Sequence, residues 1–245
     1  TAASAAGGIV VAGPLSTAGA AGMDIDLNPL VGITLSYAGT VAATNGGAVY
    51  FRRPVTLTAD AAVDTDAAAG TAAAGAVSFA STVGGASSLV LDASADGGGA
   101  NGQITFPDDV SGLSALSATG NVAFTDSAVV VTTTGNQDYL GPVTLSSNAV
   151  FTANAGSVVR FGGTLTGSSS ALTVTTADAR FDGNASAITT LSVDGLVAIN
   201  ADITTSGAQS YHGNATLGAS AALLAGAGAI VFDGGVAESA ASTLT

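Results

Sequence analysis

Lysine and cysteine are both absent from this 245-residue chain, and charge of either sign is scarce at 9% of residues, where an ordinary soluble domain carries roughly 25%. Without cysteine no disulfide can staple the fold, and cysteine spacing leaves the redox compartment open. Four arginines face seventeen acids, giving a formal net charge of -13 with the single histidine neutral. A field of that sign repels phosphate backbones and anionic headgroups, which makes nucleic acid and membrane surfaces poor partners, whereas cations and neutral glycans fit it. Disorder is also excluded, because it requires low hydrophobicity together with high charge and this chain is 47% hydrophobic.

Long apolar runs are missing too. The longest, Ala221 to Phe232, is interrupted by Gly226 and Gly228 and is far shorter than the roughly 20 residues of a membrane helix. Thr1 to Ala6 has no basic region of the kind that opens a secretory leader. The chain begins without methionine and stops at Leu244-Thr245 inside a repeat, which reads as a segment of something longer or a processed chain. GxSxG, HExxH and Walker-type loops do not occur, and the Gly97-Gly98-Gly99 run lacks the lysine and helix start of a phosphate cradle.

What the chain has instead is a repeat. Val131 to Leu145, VTTTGNQDYLGPVTL, returns 72 residues later as Ile203 to Leu217, ITTSGAQSYHGNATL. Gly156, Val158, Val159 and Gly163 return at the same shift as Gly228, Ile230, Val231 and Gly235. A shift of 75 carries Phe106, Val110, Leu113, Leu116, Gly120 and Val122 onto Phe181, Ala185, Ile188, Leu191, Gly195 and Val197. Pro54-Val55-Thr56-Leu57 resembles Pro142-Val143-Thr144-Leu145, with Ala- and Gly-rich insertions following at Ala67 to Gly75 and Ala95 to Gly102.

Between these landmarks, apolar pairs recur every 7 to 9 residues, separated by Gly, Asn, Asp and Ser. Such runs are too short for helices, and their separators are residues that accept the left-handed conformation of a tight corner. A long-period repeat of short strands predicts a solenoid. Three strands per turn gives coils of about 24 residues, three coils to the 72-residue shift, and roughly ten coils stacked at about 4.8 Å. A tandem of small antiparallel sandwiches is the competing architecture. The predicted organisation is one continuous β-helix with residues 1–47 as N-terminal coils or a cap, 48–131 as a first unit, 132–203 as a second and 204–245 as a partial third.

The spacing of TTTGNQDYLGPVTL, GSVVRFGGTLTGSSSALTV and RFDGNASAITTLSVDG resembles the repeats of large secreted bacterial surface proteins of the filamentous-haemagglutinin and autotransporter type, over roughly Ala48 to Thr245. The resemblance implies an all-β, right-handed parallel β-helix, passage across an outer membrane, and work as an adhesin stalk or matrix fibre. The expected role is a non-enzymatic, extracellular or bacterial cell-surface rod. Partners are then the chain itself or flanking repeats, glycans, or a neighbouring cell surface. The resemblance brings no catalytic residues with it. A glycan-active β-helix enzyme and a calcium-stabilised surface-layer module are the alternatives.

Candidate site residues follow from these readings. Tyr139 and Tyr211, with Gln137 and Gln209 two residues before them, recur at equivalent places; exposed, the rings stack on sugars, and buried, they close a coil. Glycosidic hydrolysis uses paired carboxylates, and Asp108-Asp109, Asp64/Asp66 and Asp92/Asp96 are the available pairs, equally at home as turn residues. Calcium is the one cofactor considered, through Asp64, Asp66 and Asp96 beside the ADGGGANGQITF loop, although no GGxGxD nonapeptide repeats there. His212 stands where the sister repeat has Leu140, which suits a surface position better than a general base. Arg52, Arg53, Arg160 and Arg180 are expected to pair with neighbouring aspartates, and Asn184 and Asn214 open short glycosylation-type triplets.

Overall fold

A strand of three residues that points its first and third side chains inward is the unit from which this protein is built. Val55–Leu57, Val143–Leu145 and Ala215–Leu217 each bury both ends and expose the middle, the period-two alternation of an extended chain. The computed structural model describes residues 2–5, 7–19, 22–67, 73–218 and 221–238, which are all β or irregular. No helix among them is long and apolar enough to cross a membrane.

The chain divides into two compact units, Thr1–Phe124 and Thr125–Thr245, and each is a β-solenoid with three parallel faces. In the first unit one face stacks Gly8–Val11, Ile33–Leu35, Val55–Leu57, Val83–Gly85 and Val110–Leu113. A second stacks Leu15–Ser16, Gly39–Ala43, Ala61–Asp64, Ser88–Asp92 and Ala115–Thr119. The third stacks Ile25–Leu27, Val49–Phe51, Val77–Phe79, Gln103–Phe106 and Asn121–Phe124. The N-terminal residues thus already belong to the coil, apart from Ala2–Ala5, which pairs antiparallel with Gly8–Val11.

In the second unit Leu165–Phe181 and Ala185–Ile199 run round the corners and serve three faces each. The first face stacks Val129–Thr133, Ala149–Ala153, 172–175, 191–193, Gln209–Tyr211 and Ile230–Phe232. The second stacks Gln137–Tyr139, Val158–Phe161, 178–181, 197–199, Ala215–Leu217 and Val236–Glu238. The third stacks Val143–Leu145, 165–167, 185–188, Ile203–Thr205 and Leu223–Ala225. Five rungs in one unit and six in the other are close to the roughly ten coils that the apolar spacing predicts.

One expectation is corrected. The 72-residue shift is not three turns: from Gln137–Tyr139 to Gln209–Tyr211 the chain passes through eleven strand segments, three turns and two-thirds. The copy therefore sits on a different face, with Gln137–Tyr139 on the second and Gln209–Tyr211 on the first. Turns also vary, since successive in-register residues Ile33, Val55, Val83 and Val110 are 22, 28 and 27 apart, and Leu172, Leu191 and Gln209 are 19 and 18 apart. Only the strand count stays constant, because corner loops absorb insertions while each strand must fill one side of the coil.

In-register stacking lines up like side chains. Phe51, Phe79, Phe106 and Phe124 form a buried column with ring centroids 4.9, 5.1 and 5.2 Å apart and planes within 15° of parallel. Tyr139, Phe161 and Phe181 repeat this at 5.5 and 5.4 Å. These separations are set by the roughly 4.8 Å between paired strands, and offset rings at that distance add to the burial energy.

Corners are held by two devices. Asx side chains reach one rung along the stack: Asn148, Asn184 and Asn214 accept from the backbone N–H of Ala171, Asp202 and Gly235 at 2.9, 3.1 and 2.9 Å, and Asp60 and Asp202 do the same for Ser88 and Ala222. Glycine is the second device, and not chiefly for the left-handed backbone the sequence suggests. A Cβ on Gly75 would lie 2.0 Å from the Gly47 carbonyl oxygen, and one on Gly213 would lie 2.0 Å from that of Gly195. Corners of successive rungs approach too closely there for any side chain.

Candidate functional site

The duplicated motif folds into a corner, and its polar residues turn inward. Gln137 and Tyr139 are fully buried, as are Gln209 and Tyr211. The Gln209 amide Nε2 donates to the Ile203 carbonyl at 3.2 Å, Thr205 Oγ1 at 3.3 Å and the Leu224 carbonyl at 3.0 Å, while its Oε1 accepts from the Tyr211 hydroxyl at 2.9 Å. Gln137 repeats the arrangement with Val131, Thr133, Thr152 and Tyr139. In both copies the threonine hydroxyl donates to the following glycine carbonyl, Gly135 or Gly207, at 2.6 Å. Burial pushes both phenols well above the ordinary tyrosine range. All four residues are brought together in pairs, and neither ring presents a face to solvent.

The pattern of copying is as informative as the contacts. From Val131 to Leu145, six of the eight odd-numbered positions are identical in the copy, and the other two exchange Val131 for Ile203 and Val143 for Ala215. Of the seven even-numbered positions only Thr132 and Thr144 keep their identity, as Thr204 and Thr216. The odd positions carry the buried residues, so the repeat preserves the interior of the corner and lets its outside vary.

The acidic candidates gather at a second corner. Both insertions fall between the second face of the first unit and the third on successive rungs, residues 68–72 of the earlier one lying outside the described residues. At their base Asp64 and Asp92 are register partners, the Asp66 N–H donates to Asp64 Oδ1 at 3.0 Å, and the Asp96 N–H donates to Asp66 Oδ2 at 2.8 Å. Asp92 Oδ1 is occupied by Ser94 through its N–H at 2.9 Å and its hydroxyl at 2.5 Å. Burial, followed by the charges of Asp92, Asp96 and Asp66, raises the Asp64 carboxyl above its usual range, against the pull of the Asp66 N–H. Asp108 and Asp109 lie elsewhere: Asp108 accepts from the Asp109 N–H at 2.9 Å and from the Ser81 hydroxyl at 3.5 Å.

The arginines are committed to structure. Arg52 makes two bonds to Asp26 at 3.1 and 3.2 Å and lies 4.3 Å over the Tyr50 ring, Arg180 pairs with Asp178 at 2.7 Å, and Arg53 donates to the Arg52 carbonyl at 3.2 Å. Burial works against ionisation of Asp182, but the Asn200 amide at 2.7 Å and the Arg160 guanidinium at 2.6 Å outweigh it and hold the carboxyl below its usual range.

His212 is exposed and stands between acids of the flanking rungs, with Nδ1 2.6 Å from Asp233 and Nε2 3.8 Å from Asp194. Ser192 Oγ lies 3.5 Å from Nε2, at the outer limit of a hydrogen bond. Leu140, its counterpart in the other copy, is also exposed. An open cleft of about 590 Å³ on the second unit contains one carboxylate, Asp178, already bound to Arg180. Asn184 and Asn214 spend their side-chain oxygens on the corner bridges described above.

Sequence reasoning identified the recurring Gln and Tyr but left open which way they point; the alternation of copied and uncopied positions is the signal that decides it. No protein-family model, curated protein or solved structure matches this chain, so its assignment rests on the three-faced parallel β-solenoid and the chemistry of its corners.

Proposed function

We propose that this chain is a non-enzymatic structural module, a segment of an extracellular adhesive rod of the kind built by large secreted bacterial surface or matrix proteins. One observation carries the reading: what the sequence has duplicated is buried scaffold. The Gln–Thr–Tyr corner recurs with its hydrogen bonds, whereas the outward positions drift. Repetition of that kind lengthens a structure without multiplying a binding or catalytic site.

The exterior supports an adhesive role for a neutral partner. Thr144, Thr166 and Ser186 are exposed in register on the third face of the second unit, with Thr204 on the next rung. Such a row offers uncharged donors and acceptors suited to glycans. Self-association fits the absence of lysine, a residue that commonly blunts the edges of stacked strands.

The test is electron microscopy of the purified chain at rising concentration, combined with a polysaccharide panel assayed for both retention and release of reducing ends. Filaments or end-to-end particles with glycan retention and no release are expected. Dispersed monomers at every concentration with no glycan retained would overturn the fibre and adhesion reading, and reducing ends released by the pure protein would overturn the non-enzymatic one.

A further inference from the structure

Asp66 stands apart from the other acids of this protein. It is only 3% exposed, and its Oδ1 is a buried oxygen with no hydrogen-bond partner. Its N–H donates to Asp64 Oδ1, and its Oδ2 accepts from the N–H of Asp96. An ionised carboxylate with one oxygen unpaired away from water is strongly unfavourable, and buried charges are ordinarily paired or coordinate a metal.

Among the described residues no ion pair answers it. Asp64, Asp66, Asp92 and Asp96 cluster at this corner, while Arg52, Arg160 and Arg180 pair with Asp26, Asp182 and Asp178, and Arg53 donates to a main-chain carbonyl. The corner also carries the base of the 95–102 loop, which leads from the second face to the third.

We propose that Asp66 Oδ1 anchors a binding site for a hard divalent cation, calcium by the all-oxygen chemistry of its surroundings, with Asp64 and Asp96, both hydrogen-bonded to Asp66, as the neighbouring carboxylates. Among the described residues no three of these carboxylates bring oxygens within 4.8 Å of one another. The ion is therefore completed by water and main-chain oxygens, which sets its affinity at the weak end of calcium sites, about 10⁻⁴ to 10⁻³ M. Magnesium, which demands near-ideal octahedral geometry and gives up water reluctantly, fits less well. The site is independent of whether the chain forms fibres.

The experiment is thermal unfolding of the whole chain in EDTA, in magnesium and across a calcium titration to 10 mM, with isothermal titration calorimetry alongside, for the wild type, D66N and the distant control D233N. Calcium at about ten times its Kd is expected to raise the wild-type Tm by about 3–6 °C, with D233N responding alike. D66N is expected to lose both the shift and the calorimetric binding, while its Tm in EDTA stays close to that of the wild type because asparagine keeps an oxygen for the Asp96 N–H. That last measurement separates a lost site from a lost fold. An unresponsive wild type, or equal shifts in the wild type and D66N, would refute the site.

Discussion

Replacing Gln209 by leucine tests whether the duplicated corner holds the coil through its hydrogen bonds or merely fills space. Leucine keeps much of the volume but none of the polar atoms, so the Tyr211 hydroxyl loses its partner at 2.9 Å, and the Ile203 carbonyl, Thr205 hydroxyl and Leu224 carbonyl lose theirs. Tyr211 is fully buried, so water does not replace the lost acceptor. One orphaned buried donor costs about 1–3 kcal/mol, and with the weakened acceptors the substitution is expected to destabilise by about 2–4 kcal/mol. Tyr211→Phe in the wild-type background removes one hydrogen bond, about 1 kcal/mol. In the Gln209→Leu background the same change removes a group with no partner and should be neutral or stabilising. The cycle predicts a coupling of about 1–2 kcal/mol, measured from urea denaturation of the four proteins followed by circular dichroism. Additive effects, or a Gln209→Leu protein within about 0.5 kcal/mol of the wild type, would refute the reasoning.

The remaining predictions concern the same corners. Because burial raises both phenols above their unfolded value of about 10, the folded state binds protons that the unfolded state releases. Stability is therefore unaffected by Tyr139 and Tyr211 below about pH 10 and falls above it, at up to about 1.4 kcal/mol per pH unit for each residue; Gln209→Leu/Tyr211→Phe should remove the Tyr211 share of that slope and leave the Tyr139 share in denaturation measured from pH 9 to 11. Ala187 and Ser169 sit at φ 55° and 60°, where Gly112, the counterpart of Ala187 at the 75-residue shift, sits at φ 74°. Relief of about 1–2 kcal/mol of left-handed strain less about 0.5–1 kcal/mol of glycine entropy makes Ala187→Gly neutral to stabilising, by up to about 1.5 kcal/mol, and a lower denaturation midpoint would refute this. Asp202 bridges one rung with the geometry Asn184 uses for the rung before, so Asp202→Asn should stay within about 0.5 kcal/mol of the wild type while Asp202→Ala costs about 1–2 kcal/mol by thermal melt; equal losses would show that the bridge carries no weight.

How much of this was legible in the sequence depends on which residues are asked. Val143/Leu145 and Phe181 with its neighbours disclose short inward-facing strands, and the short alternating pattern predicts the parallel coil that the ladders display. The handling of the 72-residue shift shows where reading stops. A sequence shift fixes which residues correspond, but which strands stack depends on how many sides the chain has turned, and corner loops of unequal length hide that count. Gly75 and Gly213 were legible as corner residues, but not the reason for them, because contact with the carbonyl of the previous rung is a property of stacking. Ala187 and Ser169 give no sign of left-handed backbone in their chemistry. Asp66 was one of several acids until the fold showed that Asp64 and Asp96 spend their contacts on it and leave Oδ1 bare.

The eleven-strand repeat has a consequence for how such a protein diversifies. Eleven is one short of four complete turns of three, so each copy begins one face back from its predecessor, and Val131–Leu145 and Ile203–Leu217 occupy different sides of the same unit. This works only if the three corners are interchangeable from within, which the matching Gln–Thr–Tyr bonds demonstrate at two of them. A surface feature copied with the repeat would have to function on a new side each time, with new neighbours above and below. The core can be copied because every side presents it with the same column of apolar residues, but the exterior is released from that constraint. Asp138 becoming Ser210 and exposed Leu140 becoming His212 are the outcome expected. A repeat that turns as it advances copies a scaffold more readily than a binding face, so recognition in such a chain is expected to reside in features that break the repeat. In this protein the clearest of these is the acidic corner where two insertions interrupt the first unit.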